Sequence, residues 1–214
     1  MTTAQSIIRD AQVTLQDPDG VRWPATELVV HLNRAQRDIQ TIRPDSTAIL
    51  ATMPLVAGFK QSIPATAVSL IDIPANTTGE RITKVDLLQL DAVERDWRKR
   101  KPELVAKHFM HDMRTPRVLL VYPPAAAGAS VEVEYSAYPT DIPAPSGASH
   151  ATVTGQTSMG DQFDTALLCM VLHYAYAKDA EYGGNAALSG AYLQRAQSLL
   201  GVDLQSSATV APKS

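Results

Sequence analysis

The side chains able to do chemistry are few, and they are scattered along the chain. Histidine stands at positions 31, 108, 111, 150 and 173, and cysteine only at 169. A zinc site would need a His-Glu-x-x-His helix or paired cysteines, and a phosphate site a glycine-rich cradle; the chain contains none of these. His108 and His111 lie three apart in a segment of strand character, where that spacing sends side chains to opposite faces. His150 and His173 have no sequence-local carboxylate that would orient them for general-base work. Cys169 sits in the apolar stretch 166–172, so it reads as a small buried hydrophobe rather than a nucleophile. No catalytic residue, metal site or cofactor is expected.

The one local charge anomaly is Arg95–Lys101, in which Arg95, Arg98, Lys99, Arg100 and Lys101 surround Asp96 and Trp97. A run of this kind is ordinarily a solvated loop. Its functional alternative is contact with DNA phosphates or with an acidic partner surface. Globally the pull is weak, because 214 residues carry a net charge of −3, which gives no general attraction to nucleic acid or anionic lipid. Apolar residues make up 45% and charged residues 19%, the balance of a folded globular chain. No apolar run approaches the ~20 residues that span a bilayer, and no signal-peptide core is evident. A lone cysteine excludes an internal disulfide and suits a reducing compartment.

The elements that must position these residues fall into three stretches. Ile7, Ile8, Ala11 and Leu15 mark one face of a first helix, with Gln5, Arg9 and Gln12 turned away. Asp17-Pro-Asp-Gly20 stops it, and Pro24 suits the first position of a second helix, with Trp23 packing back as a staple. Leu28, Leu32, Ala35, Ile39 and Ile42 then form a narrow stripe, with His31, Arg34, Arg37, Asp38 and Gln40 off it. Pro44 ends the element. A DNA-reading helix is unpromising here, because the first 45 residues hold six acidic against five basic residues and phosphate contacts need a positive surplus.

From residue 46 to about 142 the period shifts towards two and prolines recur. Val131, Val133 and Tyr135 alternate with Glu132, Glu134 and Ser136, a strand with one wet face. Arg117–Tyr122 is a more buried strand and 103–112 a third, the three forming an antiparallel meander. Segments 49–56, 60–63, 68–73 and 81–90 are further strand candidates. Residues 143–160, rich in Pro, Gly, Ser and Thr, predict a flexible loop. Helix returns with Asp161 as N-cap and Phe163, Leu167, Met170, Tyr174 and Ala177 on one face. Gly183-Gly184 closes it, and Asn185 caps a last helix that ends at Gly201. Residues 202–214 have no periodicity.

The expected fold class is therefore α+β. Helix pairs from 1–45 and 161–201 form a four-helix bundle, 46–142 is an inserted antiparallel β-rich subdomain, 143–160 a flexible loop and 202–214 an extended tail.

Leu15-Gln-Asp-Pro-Asp-Gly-Val-Arg-Trp-Pro24, Leu32-Asn-Arg-Ala-Gln-Arg-Asp-Ile39 and Arg43-Pro-Asp45 resemble the head–tail adaptor (connector) proteins of tailed bacteriophages, the group of tail tubular protein A-like adaptors. So do Val121-Tyr-Pro-Pro124, the 131–138 strand and Tyr174-Ala-Tyr-Ala-Lys-Asp-Ala-Glu-Tyr182. The resemblance implies a structural, non-enzymatic virion protein made in the host cytoplasm. It implies a homo-oligomeric ring, a dodecamer, beneath the portal protein, which extends the DNA channel and carries a distal tail or nozzle protein; no membrane is involved. It also implies that the C-terminal segment docks on the portal, and there Val202, Leu204 and Val210 are the apolar anchors. Mild acidity suits a conduit that must not hold phosphates. A stopper or tail-terminator is the nearest rival, although such proteins are usually smaller and β-dominated. A virion-associated cell-wall hydrolase is a more distant one, because it would need a positioned acid and base.

Overall fold

The computed structural model describes residues 3–178 and 183–201. It is α+β, with five α-helices and two sheets among those residues, and it divides into two compact units, 1–43 with 139–214, and 44–138.

In the helical unit, α1 (Ala4–Thr14) is capped by Thr3, whose hydroxyl accepts from the Ser6 N–H. It buries Ile7, Ile8 and Ala11 as expected, but Gln12 is fully buried rather than turned away. α2 (Ala25–Ile42) buries Leu28, Leu32, Ala35 and Ile39; its end residue Ile42 is exposed, while Val29, Gln36 and Gln40 are buried. The apolar stripe is thus wider than a coiled-coil seam, because α2 is covered on more than one flank. Pro24 takes the N-cap position, one residue earlier than expected, and its carbonyl accepts the first helical bonds, from Glu27 and Leu28.

The corner between α1 and α2 is organised by Asp17. Its carboxylate accepts the N–H groups of Val21, Arg22 and Trp23 at 2.9, 2.7 and 2.6 Å. Partial burial opposes ionisation there, but the bonds from Trp23, Val21 and Arg22 outweigh it and hold the carboxyl below its ordinary range. Gly20 adopts φ +68°, and a Cβ placed on it would stand 2.4 Å from the carbonyl oxygen of Ala148. Both the left-handed backbone and the close approach therefore require glycine.

Residues 143–160, expected to be a flexible loop, instead form part of this unit's core. Val153 and Met159 are buried with the helices, as is Ile142, which was assigned to the β region. Three side-chain amides on the N-terminal helices hold the segment. Gln12 donates to the carbonyls of Trp23 and Ala148 and accepts from the His150 N–H. Asn33 exchanges two bonds with the Ile142 backbone, and Gln36 accepts from the Ser158 N–H. Gly and Ser richness suggested mobility, but buried amides can anchor a loop through its backbone whatever its side chains are.

α4 (Asp164–Lys178) follows a 3-10 turn at Asp161–Phe163, so Asp164 rather than Asp161 opens the α-helix. Ala166, Leu167, Cys169, Met170, Val171, Leu172, Tyr174 and Ala175 are buried, covering nearly the whole circumference, while Ala177 is exposed. Such a helix belongs at the centre of its unit, and α4 packs against α1, α2 and α5. α5 runs Gly183–Leu199, so Gly183 and Gly184 begin the helix and Asn185 lies inside it rather than capping it. It packs on α4 through His173–Ser189 and a stacked Tyr176–Tyr192 pair 5.8 Å apart, and buries only Ser189 and Ala196. α4 is therefore the helix that the other three share. Gly201 at φ +68° ends the element, as expected.

The second unit stacks two sheets about a shared core that includes Met53, Leu70, Ile73, Phe109, Leu119, Val121, Val131 and Val133. One sheet has the order β1-β7-β3 and the other β2-β6-β5-β4. Its strands are β1 (Ala48–Pro54), β2 (Gly58–Ser62), β3 (Ala67–Asn76), β4 (Thr83–Lys84), β5 (His108–His111), β6 (Val118–Ala125) and β7 (Ser130–Ala137). β5 and β6 pair antiparallel as expected, but β7 leaves that sheet and lies antiparallel between β1 and β3. The three late strands are therefore not a meander. Both β6 and β7 bury alternate residues, and a sandwich satisfies both by placing them on opposite walls of one core. The 81–90 segment yields only the two residues of β4 before a helix, α3 (Leu87–Val93), which Asp86 caps by accepting from the Leu88 N–H.

The corner generates a prediction. Gly20→Ala destabilises the protein by about 2–4 kcal/mol, combining left-handed strain with displacement of Ala148. Urea unfolding followed by circular dichroism measures it; a change near zero would show that the Ala148 carbonyl is free to move.

Candidate functional site

The basic run occupies the turn after α3, and the structure pairs most of it internally. Arg98 forks onto Asp91 at 2.7 and 3.2 Å, and the Trp97 indole N–H donates to the same carboxylate at 2.7 Å. The Arg98 and Trp97 donors hold the Asp91 carboxyl below its usual range. Arg100 donates to Glu94 at 3.1 Å and to the Tyr122 hydroxyl at 2.6 Å, and that hydroxyl in turn donates to Glu94. Lys99 pairs with Asp96 at 2.9 Å. Trp97 is fully buried, edge-on to Phe59 and Tyr122. The aromatic is therefore the anchor of the turn, and Arg98 lies 4.5 Å over its ring. Of the five cations, Arg95 and Lys101 are the exposed ones for which the described residues provide no ion pair. A sequence count of charges missed this, because Asp91, Glu94 and Glu103 lie outside the run and reach it only after folding.

The histidines do not gather into one site, although His31 and His173 both border the Tyr174 ring. His108 stacks on Tyr122 at 5.8 Å, and the His111 ring faces the Pro116 carbonyl at 3.1 Å. His150 meets Gln12, and burial pushes His31 below its ordinary value, with Glu27 opposing the shift and Lys178 and Arg34 adding to it. His173 lies 2.9 Å from the Ser189 hydroxyl, the spacing of a nucleophile and its base. That hydroxyl is buried, however, and also donates to the His173 carbonyl, so the pair is a tie between α4 and α5. Among the described residues no three His, Cys, Asp or Glu side chains converge as a metal site would require. Burial pushes the Cys169 thiol up, the inert direction. No described helix is long and apolar enough to cross a membrane. The anchors Val202, Leu204 and Val210 lie outside the described residues.

One feature was not foreseen. A groove of about 890 Å³ opens on the outer face of the four-stranded sheet. Met110, Val118 and Leu120 floor it, and Leu87 and Leu88 of α3 wall it, with Leu88 and Met113 more than 70% exposed. Its two acids are engaged internally. Asp86 caps α3, and Asp112 is held by Arg114 with its carboxyl lowered to about 2. The signal was Asp86 before Leu-Leu-Gln-Leu, a helix start that a strand reading of 81–90 obscured.

A family model described as SU10 adaptor protein matches residues 2–213, nearly the whole chain. The chain belongs to that family, a structural family of phage adaptors rather than a known family of enzymes. No curated protein matches the chain.

The pairing pattern of the basic run separates its residues into two kinds. Replacing Arg98 and Arg100 with Ser lowers the thermal midpoint, because it frees Asp91 and Glu94 and loosens Trp97. Replacing Arg95 and Lys101 with Ser leaves it unchanged. Equal midpoints for the two double variants would show that the pairs do not support the turn.

Proposed function

We propose that this protein is the head-to-tail adaptor subunit of a phage virion: it assembles as a homo-oligomeric ring, probed first as a dodecamer, beneath the portal protein. The ring lengthens the DNA channel and carries the distal tail or nozzle protein. The observation that supports the reading best is the adaptor-family match spanning both units of the chain. The physical character fits. A net charge of −3 does not favour retaining DNA in transit, since phosphate binding scales with the cations presented. In this reading residues 202–214 form the arm that docks on the portal, with Val202, Leu204 and Val210 as anchors. Ordering such an arm costs conformational entropy, which burial of the anchors and pairing of its backbone must offset.

The Arg95–Lys101 turn then serves as a contact for an acidic protein surface in preference to a phosphate track. Of its five cations only Arg95 and Lys101 have no ion pair among the described residues, and the buried Trp97 anchors the turn. Rigidity limits the entropy lost on docking.

Two measurements test the proposal. Negative-stain electron microscopy of the purified protein shows monomers or small species, and mixing with portal produces rings on it. Failure to bind portal sinks the adaptor reading, whereas stable rings formed without portal would overturn only templated assembly. Separately, a chain ending at residue 201 keeps its circular dichroism spectrum and loses co-sedimentation with portal; undiminished co-sedimentation would remove the docking role from residues 202–214.

A further inference from the structure

The second unit carries two exposed surfaces whose apolar and charged features are mirror images in sign. The first is the outer face of the three-stranded sheet. Register places Leu50 beside Glu134, and Glu134 beside Asp72, across β1, β7 and β3; one step along, Thr52 lies beside Glu132. Leu50 is 63% exposed on this face. Glu134 and Asp72 have no ion-pair partner among the described residues, and Glu132 is met only by the Thr52 hydroxyl at 2.9 Å. β1 is an edge strand that contains no charged residue from Ala48 to Pro54. Monomeric proteins usually protect such an edge with charge or a covering segment.

The second surface is the groove beneath α3. Its floor and wall are apolar, and both of its acids are already engaged. Lys60 lies opposite Leu120 in the β2–β6 register and so flanks the floor on one side. Lys84, itself part of the lining, flanks it on the other. Both lysines are exposed, and neither is in an ion pair among the described residues. One surface is therefore an exposed leucine beside three acids without an ion pair among the described residues, and the other an apolar recess between two cations that likewise have none.

We propose that these surfaces bind each other between copies: the Leu50 face of one subunit seats on the groove of the next, with Glu132, Glu134 and Asp72 against Lys60 and Lys84. The two patches differ, so the contact is heterologous. Repeated, it propagates from subunit to subunit and closes into a ring or runs on as a filament, according to its rotation. A self-complementary dimer does not use it, because groove on groove and face on face each oppose like charges. The inference rests on the ring reading above and names the surfaces that would join its subunits.

Cross-linking of full-length variants tests it. Leu50→Cys and Leu88→Cys both replace exposed residues, and native Cys169 is buried. With a short bismaleimide at high protein concentration, mixing the two single variants gives at least about tenfold more mixed dimer than either gives with itself. Adding Glu132→Lys and Glu134→Lys to the Leu50→Cys chain lowers the yield by about tenfold, and Lys60→Glu with Lys84→Glu on the Leu88→Cys chain restores it. Equal mixed and self dimers, or failure of the paired reversals to restore the yield, overturns the proposal. Rings seen on portal without this cross-link overturn the named contact and leave the ring intact. Cross-linked chains that form no ring on portal do the reverse.

Discussion

Helix α4 is apolar around almost its whole circumference, and its burial is the constraint on which the helical unit depends. Eight of its fifteen residues are buried, and each large aliphatic among them is worth roughly 1.5–3 kcal/mol only when covered. The α1–α2 hairpin has the matching need, since Leu28, Leu32 and Ile39 are also fully buried. The two ends of the chain therefore bury their apolar faces in one shared core. The intervening residues 44–138 must therefore leave and re-enter as a closed unit of their own, which the two-sheet sandwich does.

Polar groups decide how that unit is finished. Gln12, Asn33 and Gln36 are amides on apolar helices, and each would be costly if buried without partners. Most of their partners are backbone groups of residues 139–160, so satisfying the amides and ordering that segment go together. The same logic runs through the corner, where Asp17 satisfies three N–H groups and Gly20 leaves room for the Ala148 carbonyl. In the second unit the turn around Trp97 is likewise completed by charge pairs drawn from neighbouring segments, which converts a basic run into a nearly neutral, rigid feature.

The sandwich leaves three features exposed: the Leu50 face, the groove under α3, and Arg95 with Lys101. In the proposed ring these are the surfaces that would meet its neighbours.

Helices α1, α2, α4 and α5, the strand pattern of β6 and β7, the break near Pro44 and the stop at Gly201 were legible in the residues, because period and turn chemistry are local properties. So was the family, from phrases that span both ends of the chain. Three things were not. The switch of β7 into the other sheet depends on which wall of a shared core is vacant, and no strand encodes that alone. The order in residues 143–160 comes from amides more than a hundred positions away. The groove exists because a two-residue strand and a short helix leave the face of β5 and β6 uncovered. The sequence by itself determined which elements form and what kind of protein they build; only the tertiary structure decided which polar groups are spent internally and which remain to bind. Hydrogen-bond and charge partners are matters of distance in space, and composition cannot count them.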